Sequence, residues 1–368
     1  MIERIEIPRR ILEWAITRGG YDIDDFLVSN QKVSEWMDGT NQPTIKQLEA
    51  FSNRVHLPFG YLFLENPAVE QFPIPFFRGG ANDGHFDINT YETILTLQYR
   101  QNWLVDYLSD NLFDECSYVG SVNYRTPLER IVDQVRSLLD FPLTWAYSQR
   151  TQEDAVNHVT ERLEEIGVTV VFNGIVGNNT HRKINVEECR GFSLVDTIAP
   201  FIFVNAADSK TAQLFTLIHE FAHLLLGYSS GFGGDLDSQQ NVNERLCDRV
   251  AAEFLVPKEE FLKQWNNDID RIAKRFKVSP IVIARRARDL DLITRQEFNN
   301  FYEEYVSHLH EINRLRGGNY YFNTKKRLGY TFAVHVNNAL RSRQISYVEA
   351  YRLTGLYGET YNKFMSSL

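Results

Sequence analysis

The sequence predicts an α+β protein, mostly helical, with a short sheet beside one buried helix and helical segments on either side. Three observations carry this. Apolar residues recur at helical spacing along most of the 368 residues, strand-like runs are few and short, and the stretch 215–227, FTLIHEFAHLLLG, has a helical pattern that is apolar almost all round. A hydrophobic share of 43% with 24% charged residues is ordinary for a globular chain, and the length allows two or three domains.

Residues 1–65 read as a domain of short helices. Segments 11–18, 23–28, 33–37 and 45–56 are apolar-periodic, separated by Gly19-Gly20 and the turn DGTNQPT, and Thr44 is placed to cap the last of them. The succession, with Trp36, Gly39, Pro43 and Thr44 at the matching steps, resembles the Xre or lambda-repressor-like helix-turn-helix, which implies DNA binding. The charges do not follow. From 32 to 56, Lys32, Lys46 and Arg54 are matched by Glu35, Asp38 and Glu49, so no cationic footprint remains for phosphates, and a module kept for protein contacts is the favoured reading.

Residues 66–84, with three prolines and three glycines, read as a linker, and Phe72 to Arg78 within it is a candidate for occluding a cleft. The central domain spans 85–260. It opens with helices over 86–112, from Thr126-Pro127 and Glu129 to Leu139, and over 151–166, the last stopped by Gly167. Strand patterns at 168–172, 191–196 and 201–205 follow, and the last feeds into the helix of 215–227, which begins near Asp208.

That helix carries His219, Glu220 and His223 in the spacing HExxH. Residues four apart share a helical face about 5.4 Å apart along the axis, so the two imidazoles converge with a carboxylate beside them. Buried in so apolar a helix, these groups need a partner, and Zn2+ fits: His219 and His223 as metal ligands, Glu220 as the catalytic base of a hydrolase. In zinc peptidases an extended substrate pairs with a strand beside the cleft; the segment 201–205, with Phe203 and Asn205, is the candidate, a plain core strand being the equal alternative.

A catalytic zinc site has a third protein ligand and one position for water. After a glycine-rich loop over 229–240, NVNERLCDRVAAEFLVP reads as a helix capped by Asn241 or Asn243 and ended by Pro257. Glu244 is the candidate third ligand. Asp248, one turn on, is placed to accept a hydrogen bond from the far nitrogen of a ligand histidine, while Glu253, Asp235 and Asp237 compete for the ligand role.

The pair HEFAHLLLG and NERLCDRVAAEFLVP resembles the ImmA/IrrE family of metallopeptidases, most specifically over 151–257. An Xre-like domain ahead of the peptidase and the stretch GGNYYFNTKKRLG near the C-terminus are similar to one branch of it, whereas Cys247-Asp248 departs from the pairs many members carry. The resemblance implies a zincin-like peptidase core that cleaves a specific intracellular protein, commonly an Xre-type repressor, so that transcription is released. From the residues alone, zinc would acidify a water, Glu220 would take its proton and pass it to the leaving amine, and His181 or Tyr228 would donate to the oxyanion.

Residues 261–316 are expected to be helical. Between 271 and 288 lie seven basic residues and no acidic one, on two helices about Val278-Ser279-Pro280. Arg285, Arg286 and Arg288 are candidate nucleic-acid contacts, although Asp268, Asp270, Asp289 and Asp291 flank them and a packing role is favoured. A helix over 292–310 follows. In 317–368, Tyr320, Tyr321, Phe322, Leu328 and Phe332 predict two short strands or a turn, then helices around Val336 and over 345–353.

A net charge of −9 argues against bulk nucleic-acid binding, no apolar run has membrane-spanning length, and the N-terminus has no signal-type apolar core. Cys116, Cys189 and Cys247 are isolated, as in a reducing compartment, so a cytoplasmic protein without a membrane partner is expected. Two functions of different class stand. One is an endopeptidase acting on a protein substrate, an Xre-type repressor or the product of a neighbouring gene, in transcription control or a stress or defence response. The other is a non-proteolytic regulatory or antitoxin-like protein whose zinc is structural, with DNA binding as a weaker third. A base beside the ligands favours the first, since a structural site has no use for one.

Overall fold

A computed structural model describes residues 4–68, 76–77, 88–232, 242–309 and 320–368. The chain divides into two compact units, residues 1–73 with 80–95 and residues 74–79 with 96–368.

The first unit holds α1 (Arg9–Arg18), α2 (Ile23–Ser29), α3 (Gln31–Met37) and α4 (Ile45–Arg54), followed by a single 3-10 segment, Phe59–Phe63. Side-chain caps start two of the helices: Asp22 accepts from Asp25 N–H, and Thr44 and Gln47 form a reciprocal capping box. Ile11, Leu12, Ile16, Leu48 and Val55 are wholly buried, and Trp36 meets the edge of Phe51 at 6.1 Å. Such short helices are held by this shared core more than by propensity.

The second unit holds β1 (Phe76–Phe77), the greater part of α5 (Ile88–Asp110), α6 (Leu128–Leu139), α7 (Gln152–Glu165), β2 (Thr169–Asn173), β3 (Ile175–Val176), β4 (Asn179–Lys183), β5 (Gly191–Leu194), β6 (Phe201–Asn205), α8 (Lys210–Leu226), β7 (Ser230–Phe232), α9 (Val242–Leu255) and α10 (Lys258–Gln264). It continues through α11 (Ile269–Phe276), α12 (Pro280–Asp289), α13 (Arg295–Leu309), α14 (Tyr320–Leu328), α15 (Tyr330–Arg341), α16 (Tyr347–Thr354) and α17 (Gly358–Met365). The main sheet runs β1-β7-β5-β6-β2, with β2 and β6 parallel, β5 antiparallel to both β6 and β7, and β1 parallel to β7; β3 and β4 form a separate ribbon. The fold is α+β and mostly helical, as the periodicities predict.

Two expectations are corrected. The strand of 201–205 is β6, paired with β2 on one side and β5 on the other, so no edge of it is open to a substrate. Phe203 stacks on Phe192 at 4.7 Å and Asn205 donates to the carbonyls of Ile184 and Cys189, both core roles. The aromatic run after residue 319 is helical, not a pair of strands. Thr324 and Leu328, four apart, are both buried, and this period outweighs the strand preference of consecutive aromatics.

α8 is the centre of this unit. Leu217, Ile218, Phe221, Leu224 and Leu225 pack with Val170, Ile202 and Val204 of the sheet and with Val250, Ala251 and Phe254 of α9. Ser209 caps its start by accepting from Ala212 N–H, and Gly227, at φ 70°, ends it. Its last carbonyls are taken from outside: Gly120 N–H bonds Leu224 O at 3.0 Å and Val122 N–H bonds Leu225 O at 3.1 Å. Gly120 and Gly227, both at positive φ, touch backbone to backbone, and a Cβ on Gly227 would stand 3.0 Å from Gly120 Cα. Among the described residues no helix is long and apolar enough to cross a membrane.

Candidate metal centre

His219, Glu220 and His223 project from one turn and a half of α8 and are wholly buried; Glu244, on the first turn of α9, is 7% exposed. Their donor atoms converge. His219 Nε2 lies 3.1 Å from His223 Nε2 and 3.1 Å from Glu244 Oε2, and His223 Nε2 lies 3.1 Å from Glu244 Oε1. On the far side of the first ring, Asp248 Oδ1 is 3.0 Å from His219 Nδ1. Glu244 and Asp248, four apart on α9, therefore hold the two nitrogens of one imidazole. A proton on Nδ1, donated to Asp248, leaves the lone pair on Nε2 facing the other donors.

A dication fits this set. Two imidazole nitrogens and a carboxylate are zinc donors, and ligand atoms about 3.3 Å apart are what a tetrahedral ion with bonds near 2.0–2.1 Å would hold. Without a cation, two Nε2 atoms face each other across 3.1 Å and at most one can donate. Orphaned atoms mark the same place: among the described residues, both oxygens of Glu220 and Nδ1 of His223 are buried with no hydrogen-bond partner. Of the rival ligands, Glu253 pairs instead with Arg286 and accepts from Lys258 N–H at 2.9 Å, while Asp235, Asp237 and the cap residue Asn241 lie outside the described residues. Among the described residues, the three donors stand as a group with no fourth.

The electrostatics of the metal-free site follow from burial. Burial alone would lower His219, but Asp248 and Glu244 outweigh it and raise its pKa to about 10. His223 is lowered by burial, so the pair carries one positive charge, on His219. Burial pushes Glu244 up, yet its hydrogen bonds to both histidines prevail and hold it well below the ordinary carboxylate range. Burial raises Glu220 to about 8, the charge of His219 and the hydroxyl of Ser193 offsetting it only in part. Cys247, at the departure from the family pattern, is buried, and burial pushes its thiol well up, so it packs as a small protonated side chain.

The other candidates separate. Tyr228 is half-buried and its N–H bonds His223 O at 3.2 Å, which keeps its backbone within a turn of the ligand. His181 is exposed on the β3–β4 ribbon and is not part of the donor group. Arg286 is committed to Glu253, and Arg288 pairs with Asp289 at 2.8 Å and lies 4.7 Å over Phe298, so only Arg285 of the three arginines has no such tie described. Arg286 borders the face on which Ile283, Ala284 and Ala287 are buried, and it is only partly buried where it reaches Glu253.

β5 was not legible as part of the site. A Cβ on Gly191 would meet Thr216 Cγ2 at 2.4 Å, Phe203 O at 2.7 Å and Glu220 Oε1 at 3.5 Å, so the strand lies directly over the turn of α8 that carries Glu220. Ser193, two residues on and hence on the same strand face, is wholly buried. The available signal was the glycine opening a strand pattern, which marks a close backbone approach.

Two imidazoles and a carboxylate make a donor group that could hold a metal ion, with a second acid beside it as in metallohydrolases. The family model described as the IrrE N-terminal-like domain, Peptidase_M78, matches residues 163–288, and a domain of unknown function, DUF8813, matches residues 328–367. The first match takes in β2 to α12 with every residue of the centre, and it supports a peptidase domain of the ImmA/IrrE type. None of the curated proteins matches the chain.

Proposed function

We propose that the chain is a zinc-dependent endopeptidase that cuts one specific intracellular protein, an Xre-type repressor or the product of a neighbouring gene, and so controls transcription in a stress or defence response. The observation that carries this is Glu220: a wholly buried carboxylate that makes no hydrogen bond at normal length among the described residues, has the Ser193 hydroxyl near it, and is set against a ready donor group. A closed structural site gains nothing from such a residue, whereas a hydrolase needs one.

His219, His223 and Glu244 would hold Zn2+, which when bound supplies Lewis acidity toward a water and the scissile carbonyl. Glu220 accepts the proton of the attacking water and returns it to the leaving nitrogen as the peptide bond breaks. In the metal-free site burial raises its basicity, and a bound dication would offset that rise. Asp248 fixes the tautomer of His219. Tyr228, by its backbone position, is a better candidate than His181 for the oxyanion donor. The four-helix first unit serves to bring the substrate protein by direct contact.

The test is co-expression of the chain with its neighbouring genes, wild type against Glu220→Gln, with intact-mass analysis of every product. A fragment pair that appears with wild type and is absent with the variant, at equal zinc content, is the expected result. Equal cleavage by the two would remove the mechanism.

A further inference from the structure

β5 has two edges, and they differ in what they hold. One pairs with β6 inside the sheet; the other faces away from it, past the point where Gly191 overlies Glu220. A polypeptide to be cut must lie extended beside Glu220 and the ligands. The backbone row nearest to hand for holding it is this second edge, where strand addition would satisfy its N–H and C=O groups. The row is already taken. β7 pairs antiparallel along it, with Ser193 opposite Ser230, Phe192 opposite Gly231 and Gly191 opposite Phe232.

β7 comes straight from the metal-binding helix. Tyr228 N–H bonds His223 O, Ser229 Oγ accepts from Val195 N–H at 2.9 Å, and the strand then runs back along β5 to end opposite Gly191. Its far side carries β1 in parallel, Phe76 opposite Gly231 and Phe77 opposite Phe232. A chain segment of three residues, one of them glycine, thus occupies this edge of β5.

We propose that β7 is an internal occupant of the peptide-pairing edge of β5, and that an extended segment of a protein substrate must displace it, pairing antiparallel with residues 191–193, before hydrolysis. This rests on the peptidase reading. Three residues make few ladder bonds, and glycine loses more backbone freedom on ordering than any other residue, so β7 is a weak holder of its place. A longer extended segment makes more such bonds and wins the edge; a folded bystander offers no strand and is left alone. The apparent affinity for any extended ligand is reduced by the fraction of molecules in which β7 is displaced.

Two zinc-binding probes separate the edge from the metal. Acetohydroxamate reaches only the ion; an acylated pentapeptide hydroxamate also needs the edge for its backbone. Both are titrated into the zinc-loaded full chain, wild type and the variants Ser230→Pro and Gly231→Pro. Successive N–H groups of a strand point to opposite sides, so one proline loosens β7 from β5 and the other loosens it from β1. The expected result is equal acetohydroxamate affinity throughout, with the peptidyl probe bound at least about tenfold more tightly by one proline variant, whose amides at 191–195 also exchange faster.

Should the proline variants fail to take one zinc per chain, the double variant Ser193→Cys with Ser230→Cys decides. These positions are directly opposed, as a cross-strand disulfide requires, and the oxidised form should bind the peptidyl probe more weakly than the same protein reduced. Equal peptidyl affinity in all forms, with acetohydroxamate bound, overturns the proposal. Zinc-loaded protein that binds neither probe counts against the peptidase reading itself and takes the proposal with it.

Discussion

Two helix pairs of the second unit, α8 with α9 and α11 with α12, lie within the same matched domain and contribute to the same core. They use polar residues in opposite ways. In α8 and α9 the charged and imidazole groups turn inward and meet one another, leaving Glu220 and His223 Nδ1 without a hydrogen-bond partner at normal length among the described residues. In α11 and α12 the inward side is apolar, with Ile272, Phe276, Ile283 and Ala287 buried, and two of the three candidate arginines are tied to Glu253 and Asp289. Buried polar groups that lack a partner point to chemistry, and charges neutralised by neighbours point to packing. A count of basic residues along the chain does not make this distinction; their partners do.

The largest effect that would break the comparison is at the base. Glu220→Gln should bind zinc one to one, as measured by metal analysis, and cut about 10²–10⁴-fold more slowly in the co-expression assay. Next comes the support of His219. Asp248→Asn should weaken zinc about 10–100-fold in a competition titration with a chromophoric chelator, and an unchanged affinity would strip Asp248 of its orienting role.

The pH response has a definite sign. His219 in the metal-free protein keeps its proton up to about 10, so zinc must displace it, and affinity should climb by up to about tenfold per pH unit from near neutrality toward that value. Stability of the metal-free protein should go the other way. A raised imidazole pKa contributes fully below its unfolded value of 6.5 and is lost as the pH rises through about 10, and Glu220, raised from 4.5 to about 8, adds a loss of the same sign over its own window. Chelator-treated protein that became more stable across this range would contradict the assigned charges.

In the other helix pair the effects are small and concern folding. Arg286→Ala strands a partly buried Glu253 and should cost about 1–2 kcal/mol in urea unfolding without altering zinc affinity. Arg285→Ala should stay within about 0.5 kcal/mol, and salt-dependent binding of a DNA duplex that this variant abolished would revive the nucleic-acid reading.

Much of the centre was legible because helical geometry is local. A spacing of four puts His219 with His223 and Glu244 with Asp248 on common faces, whatever the rest of the chain does. The strands were harder. The segments 191–196 and 201–205 read correctly as strands, yet their order in the sheet depends on contacts distant in sequence, so an open edge and a core place stood equal for 201–205 until the pairing of β6 with β2 and β5 decided for the core. The role of Gly191 depends on Thr216 and Phe203 closing around it, which no local pattern displays. The helix at Tyr320–Leu328 was missed because aromatic residues suit both a strand and the buried face of a helix.

The contact between Gly120 and Gly227 acts as a thrust bearing for α8. Two bare backbones meet end-on where α8 finishes, while Gly120 and Val122 tether its last carbonyls, so the helix can neither advance along its axis nor retreat from it. Two histidines must stay opposite a glutamate carried by a separate helix, and an axial slip of one residue would move them 1.5 Å, half the separation that now joins them to Glu244. Axial alignment of the site is thus entrusted to a pair of residues more than 100 positions apart that carry no side chain at all.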